Sequence, residues 1–98
     1  MSKRDLERIR EKIRLRRYDM SAHAMEEMAE DMLTILDVES AVLNGQISRI
    51  EKEDPRGTRY VIEGVALDRQ TPVGVFARFS SSSRTLIITV YEVTALEE

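Results

Sequence analysis

The stretch Pro72-Val73-Gly74-Val75-Phe76-Ala77-Arg78-Phe79-Ser80-Ser81-Ser82-Ser83-Arg84-Thr85-Leu86-Ile87-Ile88-Thr89-Val90-Tyr91 decides how this chain folds. Two runs rich in β-branched and aromatic residues flank four serines, which is the pattern of a β-hairpin. The strands are predicted over 72–79 and 84–93, with the turn at 80–83. A loop centred on Ser81-Ser82 pairs Phe79 with Arg84 and Arg78 with Thr85. Val73, Val75, Ala77 and Phe79 then share a wholly apolar face with Leu86, Ile88 and Val90, and that face must meet helices. The other face carries Gly74, Phe76, Arg78, Ile87, Thr89 and Tyr91.

Working upstream, residues 46–53 and 58–67 alternate with period two and read as two more strands. Asp54-Pro55-Arg56-Gly57 supplies turn residues between them, and 68–71 is a second loop. A four-residue loop there puts Arg59, Val61 and Glu63 on the half-polar face, with Glu63 a cross-strand neighbour of Arg78. Earlier still the period is helical. Leu6, Ile9 and Ile13 mark a helix over 3–16, and Tyr18-Asp19-Met20 a short break. Ser21 caps a helix over about 21–32 whose core stripe is Met25, Met28, Ala29 and Met32. Thr34, with Asp37 three residues on, starts a third helix whose stripe is Ile35, Val38 and Val42. Gly45 is expected to end it in the left-handed conformation. The predicted class is α+β: N-terminal helices packed on a four-stranded antiparallel sheet. Residues 1–17 form a basic N-terminal helix and 18–98 a single α+β domain.

With 98 residues, 42% of them apolar and 34% charged, the chain supports one small core. Disulfides, thiolate metal sites and a cysteine nucleophile are excluded because there is no cysteine. One histidine makes a zinc site improbable, and no metal or other cofactor is expected. No apolar run reaches membrane-spanning length and the N-terminus lacks a signal-peptide pattern, so no membrane association and a cytoplasmic location are expected. Residues 1–17 hold eight Lys/Arg against three acids, a net +5, so the overall -3 leaves -8 on the rest. The basic helix suits a phosphate or an acidic partner, or is a solvated face with local charge pairs.

Ser21-Ala22-His23-Ala24 followed by Glu26-Glu27-Met28-Ala29-Glu30-Asp31 resembles the helix motif of domain-of-unknown-function family 4258. So do Leu36-Asp37-Val38-Glu39 with Leu43-Asn44-Gly45, the turn Asp54-Pro55-Arg56-Gly57, and the closing Ile87-Ile88-Thr89-Val90-Tyr91-Glu92. The likeness covers roughly residues 18–93. That family looks related to small bacterial ribonuclease toxins of the RelE and BrnT type, within a grouping that takes in barnase-like nucleases. The resemblance implies a RelE/barnase-like fold and an RNA-cleaving surface on the sheet. It also implies RNA as substrate and an antitoxin protein as partner.

Metal-free RNA cleavage needs a base for the 2′-hydroxyl proton, an acid for the leaving oxygen and cations around the phosphate. His23 suits either proton role, and Arg78 suits the phosphate through its bidentate fork. Tyr91 could donate a proton or stack on a base, and Thr89 would orient a neighbour. Those four are the candidate catalytic residues, with Arg59 and Glu63 as candidate binding residues. Each also has a plainer role: His23 as a first-turn surface residue, Arg78 and Glu63 as an ion pair, Thr89 and Tyr91 as sheet-face fillers. The patch Phe76, Val61 and Ile87 would suit a homodimer or partner surface. A non-enzymatic interaction or dimerisation module is therefore the alternative function.

Overall fold

The computed structural model describes residues 2–81 and 83–93. The switch from period 3.6 to period 2 falls where the sequence places it. Three helices, α1 (Ser2–Arg14), α2 (Ala22–Glu30) and α3 (Ile35–Asn44), precede the strands β2 (Gln46–Glu51), β3 (Arg59–Val65), β4 (Pro72–Ser81) and β5 (Arg84–Glu92). A further strand, β1 (Tyr18–Met20), lies between α1 and α2. The described residues thus form a five-stranded sheet in the order β1-β5-β4-β3-β2. This corrects the expected four antiparallel strands, because β1 pairs parallel with β5 (Tyr18 opposite Thr85, Met20 opposite Ile87). Three residues carry no readable alternation, and their partner lies more than sixty positions away. The Arg84 guanidinium grips the Asp19 carboxylate at 3.0 Å on both sides of its fork, tying the added strand in place.

Local signals set the helix starts. Ser21 Oγ accepts from Ala24 N, and Thr34 and Asp37 form the complete capping box. Helix α2 is shorter than its methionine stripe suggested. Met25 and Met32 are exposed, Met32 has φ +58 beyond the helix end, and Ala24 with Met28 fill the core instead. Gly45 is extended, not left-handed; a side chain there would strike the carbonyls of Ala41 and Glu63.

The helices cover one sheet face, with α3 on β3 and β4, α2 on β5, and α1 against α3. Leu6, Ile9 and Ile13 of α1 join Val38, Ala41, Val42, Ile62, Val75, Ile87 and Val90 in one core. Arg10 binds α1 to its neighbour by donating to the Val42 and Gly45 carbonyls at the end of α3, at 3.3 and 2.6 Å. Asp5 accepts from the Tyr60 hydroxyl at 2.9 Å.

The hairpin register differs from expectation by one residue over Thr85–Ile87 and by two from Thr89 onward, which reverses only the first half of β5. Phe79 faces Thr85, Arg78 faces Leu86 and Ala77 faces Ile87, but Phe76 faces Thr89, so Ile88 is an extra, bulged residue. Thr85, Ile87 and Val90 therefore point into the core, and Leu86 and Ile88 are only half-buried. Both Ile87 and Val61 lack any exposed surface, so the expected outer patch of Phe76, Val61 and Ile87 does not exist.

Candidate functional site

The bulge at Ile88 is also where α2 begins. Ser21 donates its backbone N–H to the Ile87 carbonyl at 2.9 Å and its hydroxyl to the Ile88 carbonyl at 2.8 Å. The start of α2 is thereby pinned to the hairpin. Between them lies a cleft of about 140 Å³ lined by Ser21, Asp54, Arg56, Arg59, Arg78, Leu86 and Ile88. A larger cavity of about 640 Å³ under the β2–β3 turn shares Asp54, Arg56 and Arg59 with it.

The arginines of this face are not equivalent. Arg59 lies 2.5 Å from Glu51 and 3.5 Å from Asp54, and its guanidinium sits 5.5 Å from the Phe76 ring centre. Arg49 shares Glu51 at 2.9 Å, and Arg56 meets Asp54 at 3.4 Å. Glu51 is held below the usual carboxylate range, first by the Arg49 hydrogen bond, and Asp54 likewise, first by the Arg56 backbone N–H. Arg78 makes one long contact, donating to the Arg56 carbonyl at 3.5 Å. Among the described residues no carboxylate lies within ion-pair distance of it, unlike Arg49, Arg56, Arg59 and Arg84.

Glu63 does not approach Arg78. It stands opposite Gly74, and its carboxylate is 3.3 Å from the Tyr91 hydroxyl. The loop before β4 is longer in pairing terms than assumed, which slides Glu63 along the sheet. Tyr91 rests its ring over Gly74, which has no side chain to obstruct it, and 6.0 Å from Phe76. Gly74 and Arg78 are four residues apart on β4, so Tyr91 sits about 13 Å along the sheet from Arg78. Thr89 is opposite Phe76, between the two.

The imidazole of His23 is on the first turn of α2, with its side chain 64% exposed and Nε2 3.2 Å from Glu27. Glu27 in turn accepts the Val90 backbone N–H at 3.0 Å, and Asp31 accepts that of Glu92 at 3.2 Å. The spacing 23, 27, 31 is one row of a helix, laid along the β5 edge where β1 has ended. The structure thus groups Arg78 with Ser21 and Arg56, places His23 two residues from the cleft wall, and gathers Tyr91, Thr89, Phe76 and Glu63 into a second group. Ser21, Arg56 and Phe76 were missed as site residues. Only the direction in which the β2–β3 turn leans brings Arg56 in, and no pattern in residues 52–58 encodes that.

The family model described as Domain of unknown function (DUF4258) matches residues 20–92, more than half of the chain. The chain belongs to this family. No curated protein and no solved structure matches it. Every residue of the cleft and of the Tyr91 group falls inside the DUF4258 segment, whereas α1 lies outside it. Among the described residues no three His, Cys, Asp or Glu side chains converge as metal ligands, and no helix is long and apolar enough to cross a membrane.

Proposed function

We propose that this chain binds single-stranded RNA across the outer face of its sheet and cuts it without metal, in the manner of the RelE-like toxins to which its family looks related. One observation carries the reading: among the described residues Arg78 has no acid partner, and it faces a cleft beside the start of α2. Its fork would take a backbone phosphate, with Arg56 and the first-turn N–H groups of α2 adding positive potential. Phe76 and Tyr91 would stack a neighbouring base, Glu63 would hold the Tyr91 hydroxyl, and Thr89 would orient the sugar between them.

His23 is the group for the proton step. Its Nε2 is directed at Glu27, which leaves Nδ1 for the substrate. The 2′-hydroxyl gives its proton to that nitrogen, the 2′-oxygen bonds to phosphorus, and the bond to the 5′-oxygen breaks. Water protonates the departing oxygen, leaving a 2′,3′-cyclic phosphate and a 5′-hydroxyl. The separation of Tyr91 from Arg78 supports stacking for Tyr91 rather than acid catalysis on the same phosphate.

The test is cleavage and binding of a short single-stranded RNA in EDTA by the purified chain. The Arg78→Ala change is expected to lower cleavage about 100-fold. The His23→Ala change should abolish cutting while leaving binding in place. Folded variants that bind and cut as well as the wild type would end this reading. The alternative of a non-enzymatic module draws on the half-exposed apolar side chains of α2 and α3. Wild-type protein that neither binds nor cuts RNA would favour it.

A further inference from the structure

Helix α1 is basic from end to end, and its own stability does not account for that. Among the described residues, only Arg8 and Arg10 of the cations up to Arg17 meet a carboxylate, that of Asp5 at 3.7 Å and that of Glu7 at 3.0 Å. Lys3, Arg4, Lys12, Arg14, Arg16 and Arg17 meet none, and all but the half-buried Lys12 are exposed. The helix dipole favours cations in the last turn, so Lys12 and Arg14 suit their places. Lys3 and Arg4 stand in the first turn, where the dipole is positive and a cation costs stability. Arg4, Arg8 and Lys12 recur every four residues, so they form one row about 12 Å long. Arg17 extends the row, since its N–H donates to the Lys12 carbonyl at 2.8 Å.

The row passes the hairpin end and leads to the cleft beside Arg78. The Arg8 guanidinium lies 4.2 Å from the centre of the Phe79 ring, and Phe79 follows Arg78 on β4. The Arg17 carbonyl accepts the Thr85 backbone N–H at 3.2 Å, and Thr85 precedes Leu86, a wall of the cleft. Asp19, Leu86 and Arg78 stand side by side on three neighbouring strands, so Arg17, two residues before Asp19, is about 12 Å from Arg78. Asp19, on that path, is matched by Arg84 at 3.0 Å. The same surface limits what can lie on it. Leu6, Ile9 and Ile13 face the core, and Leu15 is the exposed large apolar side chain of the segment. A protein partner or a lipid surface needs an apolar patch, whereas a phosphate backbone needs only cations. We infer that the row of Arg4, Arg8, Lys12 and Arg17 is a track for RNA backbone, carrying the strand onward from the cleft. The inference rests on the RNA reading for what fills the cleft, and adds that the footprint reaches a helix outside the DUF4258 segment.

Two fluorescent 2′-O-methyl RNA strands, which cannot be cut, test it by anisotropy with the full chain, one of about 4 and one of about 16 nucleotides. The long strand is expected to bind more tightly and with a steeper salt dependence. The triple change Arg4→Gln, Lys12→Gln, Arg17→Gln should weaken the long strand at least about tenfold. It should also lower the slope of log K against log salt by about 2, at about 0.7 for each phosphate contact. The short strand, which the cleft alone can hold, should keep its affinity. Arg4→Gln with Arg17→Gln, at two exposed positions, should lower the slope by about 1.4 and gives the answer even where Lys12 matters to folding. Arg78→Ala should weaken both strands, and Arg69→Gln, beyond the other end of β4, should weaken neither. An unchanged slope in the triple and double variants would overturn the track, while binding that still depends on Arg78 would keep the RNA reading standing. Wild type that binds neither strand would end both. Polyglutamate that binds more tightly than the long strand, and loses its hold in the triple variant, would assign the row to an acidic protein and overturn the inference equally.

Discussion

Thr85 is a polar residue in an apolar place. It faces Phe79 across the hairpin, has no exposed surface, and among the described residues its hydroxyl finds no hydrogen-bond partner. An orphaned buried hydroxyl costs free energy that a methyl of the same size does not. Thr85→Val should therefore raise stability by about 1 kcal/mol, read from the urea midpoint at constant m. A loss of stability would show that the hydroxyl is bonded after all. Tyr18 gives a pH signature. Burial, and then the bond to Glu39, push its phenol well above the ordinary 10.0. A folded value above the unfolded one leaves the contribution intact below pH 10.0 and removes it as pH climbs further, because the unfolded chain sheds a proton the folded chain keeps. Alkaline unfolding should accordingly steepen above that pH, and Tyr18→Phe should flatten the slope. The same change leaves Glu39 buried without its donor, so it should also lower stability near neutral pH by about 1–3 kcal/mol. Equal alkaline slopes in the two proteins would remove Tyr18 as the cause.

At the scale of elements, α2 acts as the cover of a sheet edge. β1 protects β5 for three residues, and beyond it the carboxylates of Glu27 and Asp31 take the Val90 and Glu92 N–H groups. An uncovered strand edge invites pairing with another chain. Glu27→Ala should cost about 1 kcal/mol, and with Asp31→Ala it should promote association at high concentration, measured by denaturant melts and light scattering. Glu27→Gln keeps an acceptor and should be milder; a glutamine variant as damaged as the alanine one would point to charge rather than hydrogen bonding. The same reading gives His23 a plain structural task, steadying Glu27, alongside its proposed chemical one.

At the scale of the molecule, α1 is the part outside the DUF4258 segment, yet three of its residues are in the core and Arg10 caps α3. Residues 20–92 alone should not fold cooperatively. Deleting 1–16 should replace a sharp thermal transition by a broad one with dye-binding apolar surface, and Ile9→Ala in the full chain should cost about 2–5 kcal/mol. A truncated chain with an unchanged sharp transition would contradict this.

Helix starts at Ser21 and Thr34, the turn at Asp54–Gly57, the strand runs and the α+β class were all legible, because caps, turns and periodicity are written in residues a few positions apart. The phase of β5 was not. Leu86, Ile87 and Ile88 are all apolar, so either face could be the core face until the extra residue is seated against β4 and Ser21. The parallel pairing of β1, the isolation of Arg78 from Glu63 and the closing of a cleft by the β2–β3 turn likewise depend on contacts between distant segments. Short-range chemistry on its own thus determined the three helices and four of the five strands. Which arginine stands free, and beside which helix end, was decided only when packing set the registers of β3 against β4 and of β4 against β5.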